Sequence, residues 1–219
     1  MLRDALAVGA ATGAYGLSFG AIATATGLSV PQTATLSAVM FTGASQFALV
    51  GVLGAGGAPL AAAATATLLG SRNALYGLRL SALLRVRGPG RLLAAHPVID
   101  ESCAMAVART DRRSARLAFW ATGWSVFALW NLATLLGALG AQTLRDPRVF
   151  GLDAAAPAAF LALLAPRLRG REAGAVAAAA GVLGLAITPA VPAGVPILAV
   201  AAGTVLVGLL GSSRRRSPS

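Results

Sequence analysis

Few residues in this chain are equipped for chemistry, and several of them sit inside long apolar stretches. The first group is Gly70-Ser71-Arg72-Asn73. Arg72 lies well within a segment otherwise as apolar as lipid. A charge at that depth costs from about 2.5–3.5 kcal/mol on insertion scales to roughly 10 kcal/mol or more by simulation. Such a group is kept for a task or with a partner, the plainer alternatives being snorkelling and a static ion pair. Arg79, about two helical turns nearer the segment end, reads as a snorkeller. The only adjacent acidic pair, Asp100-Glu101, offers Arg72 partners. The same pair suits a substrate ammonium, a coupling proton, or a solvated loop.

The second group is Thr42-Gly43-Ala44-Ser45-Gln46-Phe47, a polar interruption of an apolar run. Gly43 permits an unusual backbone conformation. A membrane helix broken here would present free N–H and C=O groups, which bind ionic substrates near the bilayer midplane. Gln46 carries both donor and acceptor. A polar helix–helix contact is the other reading. Tyr15-Gly16-Leu17-Ser18-Phe19-Gly20 is similar, either a break or a close-packing face.

What is missing excludes other classes. His96 and Cys103 are the only histidine and cysteine. No nucleophile–base pair, metal cluster or disulfide can be assembled, and no Gly-rich phosphate loop is present. The expectation is no enzyme, no metal and no cofactor. Net charge is +11, from arginine alone, but no basic stripe is interleaved with aromatics, so nucleic-acid binding is not expected.

The elements that must position these residues are membrane helices. Hydrophobic residues make up 57% and charged ones only 11%, against about 25% charged in a soluble domain. The bilayer is therefore the expected solvent. Seven apolar segments appear: about Leu6–Leu28, Thr33–Leu53, Pro59–Leu80, Arg116–Leu139, a short Ala154–Leu164, Ala173–Ile187 and Pro192–Leu210. Val98–Ala108 reads as an interfacial or partly re-entrant helix. The predicted fold is an all-α polytopic transmembrane bundle of six to seven spans, with room for broken or re-entrant helices. A single domain covers 1–211, and an Arg/Ser-rich tail, 212–219, is expected to be disordered and cytoplasmic. With seven crossings, thirteen arginines share one side and three the other, so the N-terminus is expected outside and the C-terminus in the cytoplasm. A re-entrant first segment would leave six spans and move the N-terminus inside. The Ala- and Gly-rich faces fit tight packing and sliding alike.

Gly16 to Gly20, Phe41-Thr42-Gly43-Ala44-Ser45-Gln46-Phe47, Ser71-Arg72-Asn73-Ala74-Leu75-Tyr76-Gly77-Leu78, Asp100-Glu101-Ser102, and Gly151-Leu152-Asp153 through Pro157 and Phe160 together resemble the AzlC family, over about Leu6 to Leu210. That family contains the large subunits of branched-chain amino acid exporters. The resemblance implies export of valine, leucine, isoleucine or similar compounds across the cytoplasmic membrane. It also implies a small hydrophobic partner subunit of the AzlD type. The family commonly has His after the arginine, where this chain has Asn73. Asn carries no proton near neutral pH, so Asp100 or Glu101 remain the candidates for proton coupling. A zwitterionic amino acid needs a cationic or N–H-rich spot, an acidic spot and an apolar pocket. Arg72, Asn73 and the Gly43, Ser45, Gln46 interruption are expected to supply the first. Asp100 or Glu101 would supply the second, and Phe19, Phe47 and Phe160 the third. Transport of a different small solute and a non-transporting scaffold role stay open.

Overall fold

The computed structural model describes residues 1–143, 161, 164, 165 and 168–214. Among them the chain is all helical. The helices are α1 (Leu2–Ala25), α2 (Val30–Val39), α3 (Gly43–Gly54), α4 (Pro59–Gly70), α5 (Arg72–Leu84), α6 (Gly90–Ala95), α7 (Asp100–Val107), α8 (Arg112–Thr143), α9 (Arg171–Ile187) and α10 (Val195–Arg214). Among the described residues, three stretches are long and apolar enough to cross a membrane: α1, α8, and α9 continued to Ala190. At about 1.5 Å per residue, the 32 residues of α8 exceed the roughly 30 Å hydrocarbon core. The helix must tilt or project beyond it.

The second and third expected segments are each two helices. The first half, α2, starts in a capping box: the Gln32 N–H donates to Ser29 Oγ at 3.3 Å, and the Ser29 N–H to Gln32 Oε1 at 2.8 Å. It ends at Met40, whose ψ of 68° leaves the helical region. Thr42, at φ −146° and ψ 96°, then starts α3. The third segment breaks more gently. Ser71 separates α4 from α5 with its hydroxyl donating to the Leu68 carbonyl at 2.7 Å. The expected interfacial helix is α7. Its start is fixed by Ser102, buried, which accepts from the Ile99 N–H at 3.1 Å and donates to the Pro97 carbonyl.

Packing is anchored by α1 against α8. Gly9, Gly13, Gly16 and Gly20 recur on one α1 face, and each meets α8. A Cβ on Gly16 would stand 2.6 Å from the Trp130 carbonyl oxygen, and one on Gly20 would run into that of Thr134. Backbones approach this closely only without side chains, the usual way helices gain contact in lipid. Beside the seam lies a cluster of Phe19, Ile22, Phe41, Phe47, Val126 and Trp130. Phe19 and Phe47 meet edge to face at 5.6 Å, a favoured aromatic geometry. Toward the arginine-rich end, Leu80, Leu84, Val98 and Phe119 form a second cluster.

The start of α8 is capped by Asp111, whose carboxylate accepts the Ser114 N–H at 2.9 Å. That backbone hydrogen bond, with help from the Ser114 side chain, holds the Asp111 carboxyl below its ordinary value. No residue of α9 is buried, and α10 packs on α9 and α4. Helix α10 runs to Arg214, into the stretch expected as tail, and 215–219 lie outside the described residues. The expected segment Ala154–Leu164 falls almost wholly outside them, and with it Phe160.

Candidate functional site

The two helix breaks face a common space. A cavity of about 250 Å³ is lined by Thr12 and Tyr15 of α1, Phe41 and Thr42 of the first break, and Gly43, Ala44 and Phe47 of α3. Arg72 and Asn73 follow the second break, Ile99, Asp100 and Glu101 open α7, and Val126 and Trp130 come from α8. Three helix starts, those of α3, α5 and α7, therefore meet at one place.

The polar groups are arranged by sign. Arg72 opens α5, at the positive end of that helix's dipole, where a cation is disfavoured by about 0.3–1 kcal/mol. Asp100 offsets this, with Arg72 Nη2 at 3.4 Å from its Oδ2. The pair is partly open, the Arg72 side chain keeping 35% of its exposure and Asp100 24%. Asp100 and Glu101 open α7, where negative charge suits the dipole. Helix α3 presents its first N–H groups without a side-chain cap, because the Thr42 hydroxyl makes no capping bond. Among the described residues, the buried Thr42 Oγ1, Arg72 Nε and Asn73 Oδ1 have no hydrogen-bond partner. Buried polar atoms are normally paired, so these three leave hydrogen-bonding capacity at the cavity. The remaining wall is apolar: Phe41, Phe47, Ile99, Val126 and the Trp130 ring. Gly43 leaves room for that ring, since a Cβ there would come within 3.1 Å of Trp130 Cη2.

Of the residues expected from sequence, Gly43, Phe47, Arg72, Asn73, Asp100 and Glu101 line the cavity. Gln46, Ser45 and Phe19 stand behind the wall. Gln46 is fully buried. Its Nε2 donates to the Ser37 carbonyl at 3.2 Å and the Met40 carbonyl at 2.6 Å, and its Oε1 accepts from Trp130 Nε1 at 3.0 Å. It thus satisfies the carbonyls that the end of α2 leaves free, and it holds the first break open. Ser45 Oγ faces Gly70 across the two broken segments, at 3.2 Å from where a Cβ would be. Phe19 supports the wall, its ring 6.3 Å from that of Trp130. Thr12 was not singled out from sequence, and Tyr15 and Trp130 were not placed at the site. They come from α1 and α8, far from the other motifs along the chain. The glycine seam that delivers them was the only signal.

The model of the AzlC protein family matches residues 7–144. The chain belongs to the AzlC family. The matched stretch holds every cavity-lining residue, from Thr12 to Trp130. This AzlC-family chain is also 30% identical over 194 residues to the inner membrane protein YgaZ of Escherichia coli (strain K12), covering 81% of the chain and 78% of that protein. No solved structure matches it. Family, relative and apolar helices make it a membrane-embedded protein of transporter type.

Proposed function

We propose that this chain is the large subunit of a secondary transporter that exports valine, leucine, isoleucine or their analogues across the cytoplasmic membrane. One observation carries the reading. A cavity of about 250 Å³ sets Arg72 and the uncapped start of α3 beside Asp100 and Glu101, and the rest of its wall is apolar. The volume lies below the about 300–1,000 Å³ usual for drug-sized ligands and suits a small solute. A carboxylate would take Arg72 and the α3 N–H groups, and an ammonium would take the α7 carboxylates. A short aliphatic side chain would lie on Phe47, Ile99 and Val126. Asp100 is engaged with Arg72, which leaves Glu101 for the ammonium or for a coupling proton.

The partner is a small hydrophobic AzlD-type subunit, as the family resemblance implies. The arginine-rich side, with the C-terminus, is cytoplasmic and the N-terminus outside, by the positive-inside rule. The test is efflux of labelled leucine from reconstituted vesicles, with and without the small subunit, under an imposed proton gradient. Efflux that needs this chain and falls with Arg72→Ala supports the reading. Efflux unchanged by omitting the chain makes it a scaffold, and transport of only unrelated solutes removes the substrate assignment.

A further inference from the structure

A second cavity, about 500 Å³, lies on the far side of the wall formed by Phe41, Thr42 and Asn73, which line both spaces. The outer cavity continues through Gly77, Ala95 and Val98 into a cleft rimmed by Arg85, Arg87 and Arg91. A route therefore leads from the arginine-rich side of the bundle to the inner site, and it is interrupted at one wall. A hydrogen bond between elements ties the wall. Asn73 Nδ2 donates to the Val98 carbonyl at 2.9 Å, joining the first turn of α5 to the strand of chain that leads into α7. Arg72, one residue earlier, makes the parallel tie inside the cavity through Asp100. The Ser71 interruption lies directly before both residues and can serve as the hinge on which the start of α5 turns.

We propose that Asn73 is a positioning residue that latches a gate between the inner site and the arginine-side vestibule. Opening breaks the Asn73–Val98 bond, moves the start of α5 away from α7, and joins the two cavities. The half-buried His96 ring, 5.8 Å from that of Phe41, backs the wall on the vestibule side. The proposal rests on the transport reading for its purpose, but the gate is a geometric claim that is tested without any solute.

The experiment places one thiol in the inner cavity, Ala44→Cys, in a Cys103→Ser background. A membrane-impermeant maleimide is added to inside-out and to right-side-out vesicles, and the alkylation rate is read. Asn73→Ala is expected to raise the rate about tenfold in inside-out vesicles, the population shift supplied by losing one part-buried hydrogen bond. It should leave the rate in right-side-out vesicles unchanged. Asn73→Leu keeps the volume and should behave the same way. Gly77→Trp narrows the outer cavity at a position where an added Cβ meets nothing within 4 Å. It should slow the inside-out reaction, and it serves if the Asn73 variants fail to fold. Equal rates in parent and Asn73 variants, or no slowing by Gly77→Trp, overturn the gate. If alkylation shifts as stated and no leucine moves, the gate stands and only the substrate reading falls.

Discussion

Arg72 shows how one side chain can be disfavoured twice and still be kept. It is charged within an apolar segment, and it stands at the positive end of α5. Asp100 relieves part of this, but a partly open pair in contact with a cavity is poor at stability alone. The arrangement makes sense when a ligand carboxylate completes it. Arg72→Ala is expected to lower leucine counterflow about ten- to a hundredfold, the worth of hydrogen bonds to a charged group. Asp100→Asn should lower it less, because Arg72 remains to meet the substrate. Equal flux in parent and Arg72→Ala vesicles sinks the assignment. Glu101→Gln separates two roles. If Glu101 carries the proton, exchange of leucine across the membrane survives while its dependence on a pH gradient disappears. Asp111 provides a pH test outside the membrane-spanning stretch. Its carboxyl is depressed in the folded protein, so its capping contribution is present above the ordinary carboxylate value. That contribution is lost as pH falls through the lower folded value. Asp111→Ala should remove this acid-side loss from unfolding curves, and an unchanged curve would count against the cap. At this scale the sequence was informative wherever charge is scarce: with seven acidic residues, Asp100 and Glu101 stood out as partners for Arg72, and the structure pairs it with Asp100.

At the scale of elements, the site exists because two apolar segments do not continue as helices. Gln46 maintains the first interruption by bonding to Ser37, Met40 and Trp130 at once. Gln46→Leu leaves the two carbonyls and the indole N–H buried without partners, at about 1–3 kcal/mol for each group. Thermal unfolding in detergent should fall by several degrees, and an unchanged midpoint would mean that the break needs no latch. The α1–α8 seam sets the depth of Thr12, Tyr15 and Trp130. Gly16→Leu forces the helices apart and should cost about 1–3 kcal/mol, with leucine counterflow falling alongside. Wild-type counterflow from a stable Gly16→Leu protein would show that the seam is not what places the wall. The glycine-rich face and the polar interruption were both visible in the sequence. Their effect was not, because periodicity marks which face is small but not which helix it meets.

For the molecule as a whole, the exposed surface is greasy: Leu60 keeps 81% of its exposure and Leu185 77%. Water does not tolerate a contiguous surface of that kind. The protein should need detergent or lipid to stay monodisperse, and sedimentation in plain buffer checks this. Helix α9, apolar and with no buried residue, belongs with this lipid-facing surface in the isolated chain.

The residue types by themselves determined the solvent, the helical class and the handful of side chains worth suspecting, since hydropathy and charge scarcity are local properties. They also offered the polar cluster at 42–47 as a break, but not the break at Ser71, and the glycine cluster at 15–20 lies in an unbroken α1. Only the tertiary structure decided that Gln46, Ser45 and Phe19 stand behind the wall while Thr12, Tyr15 and Trp130 form it. A broken helix can turn either flank toward a cavity, and which flank it turns depends on the carbonyls that must be capped and on the neighbour that fills the gap.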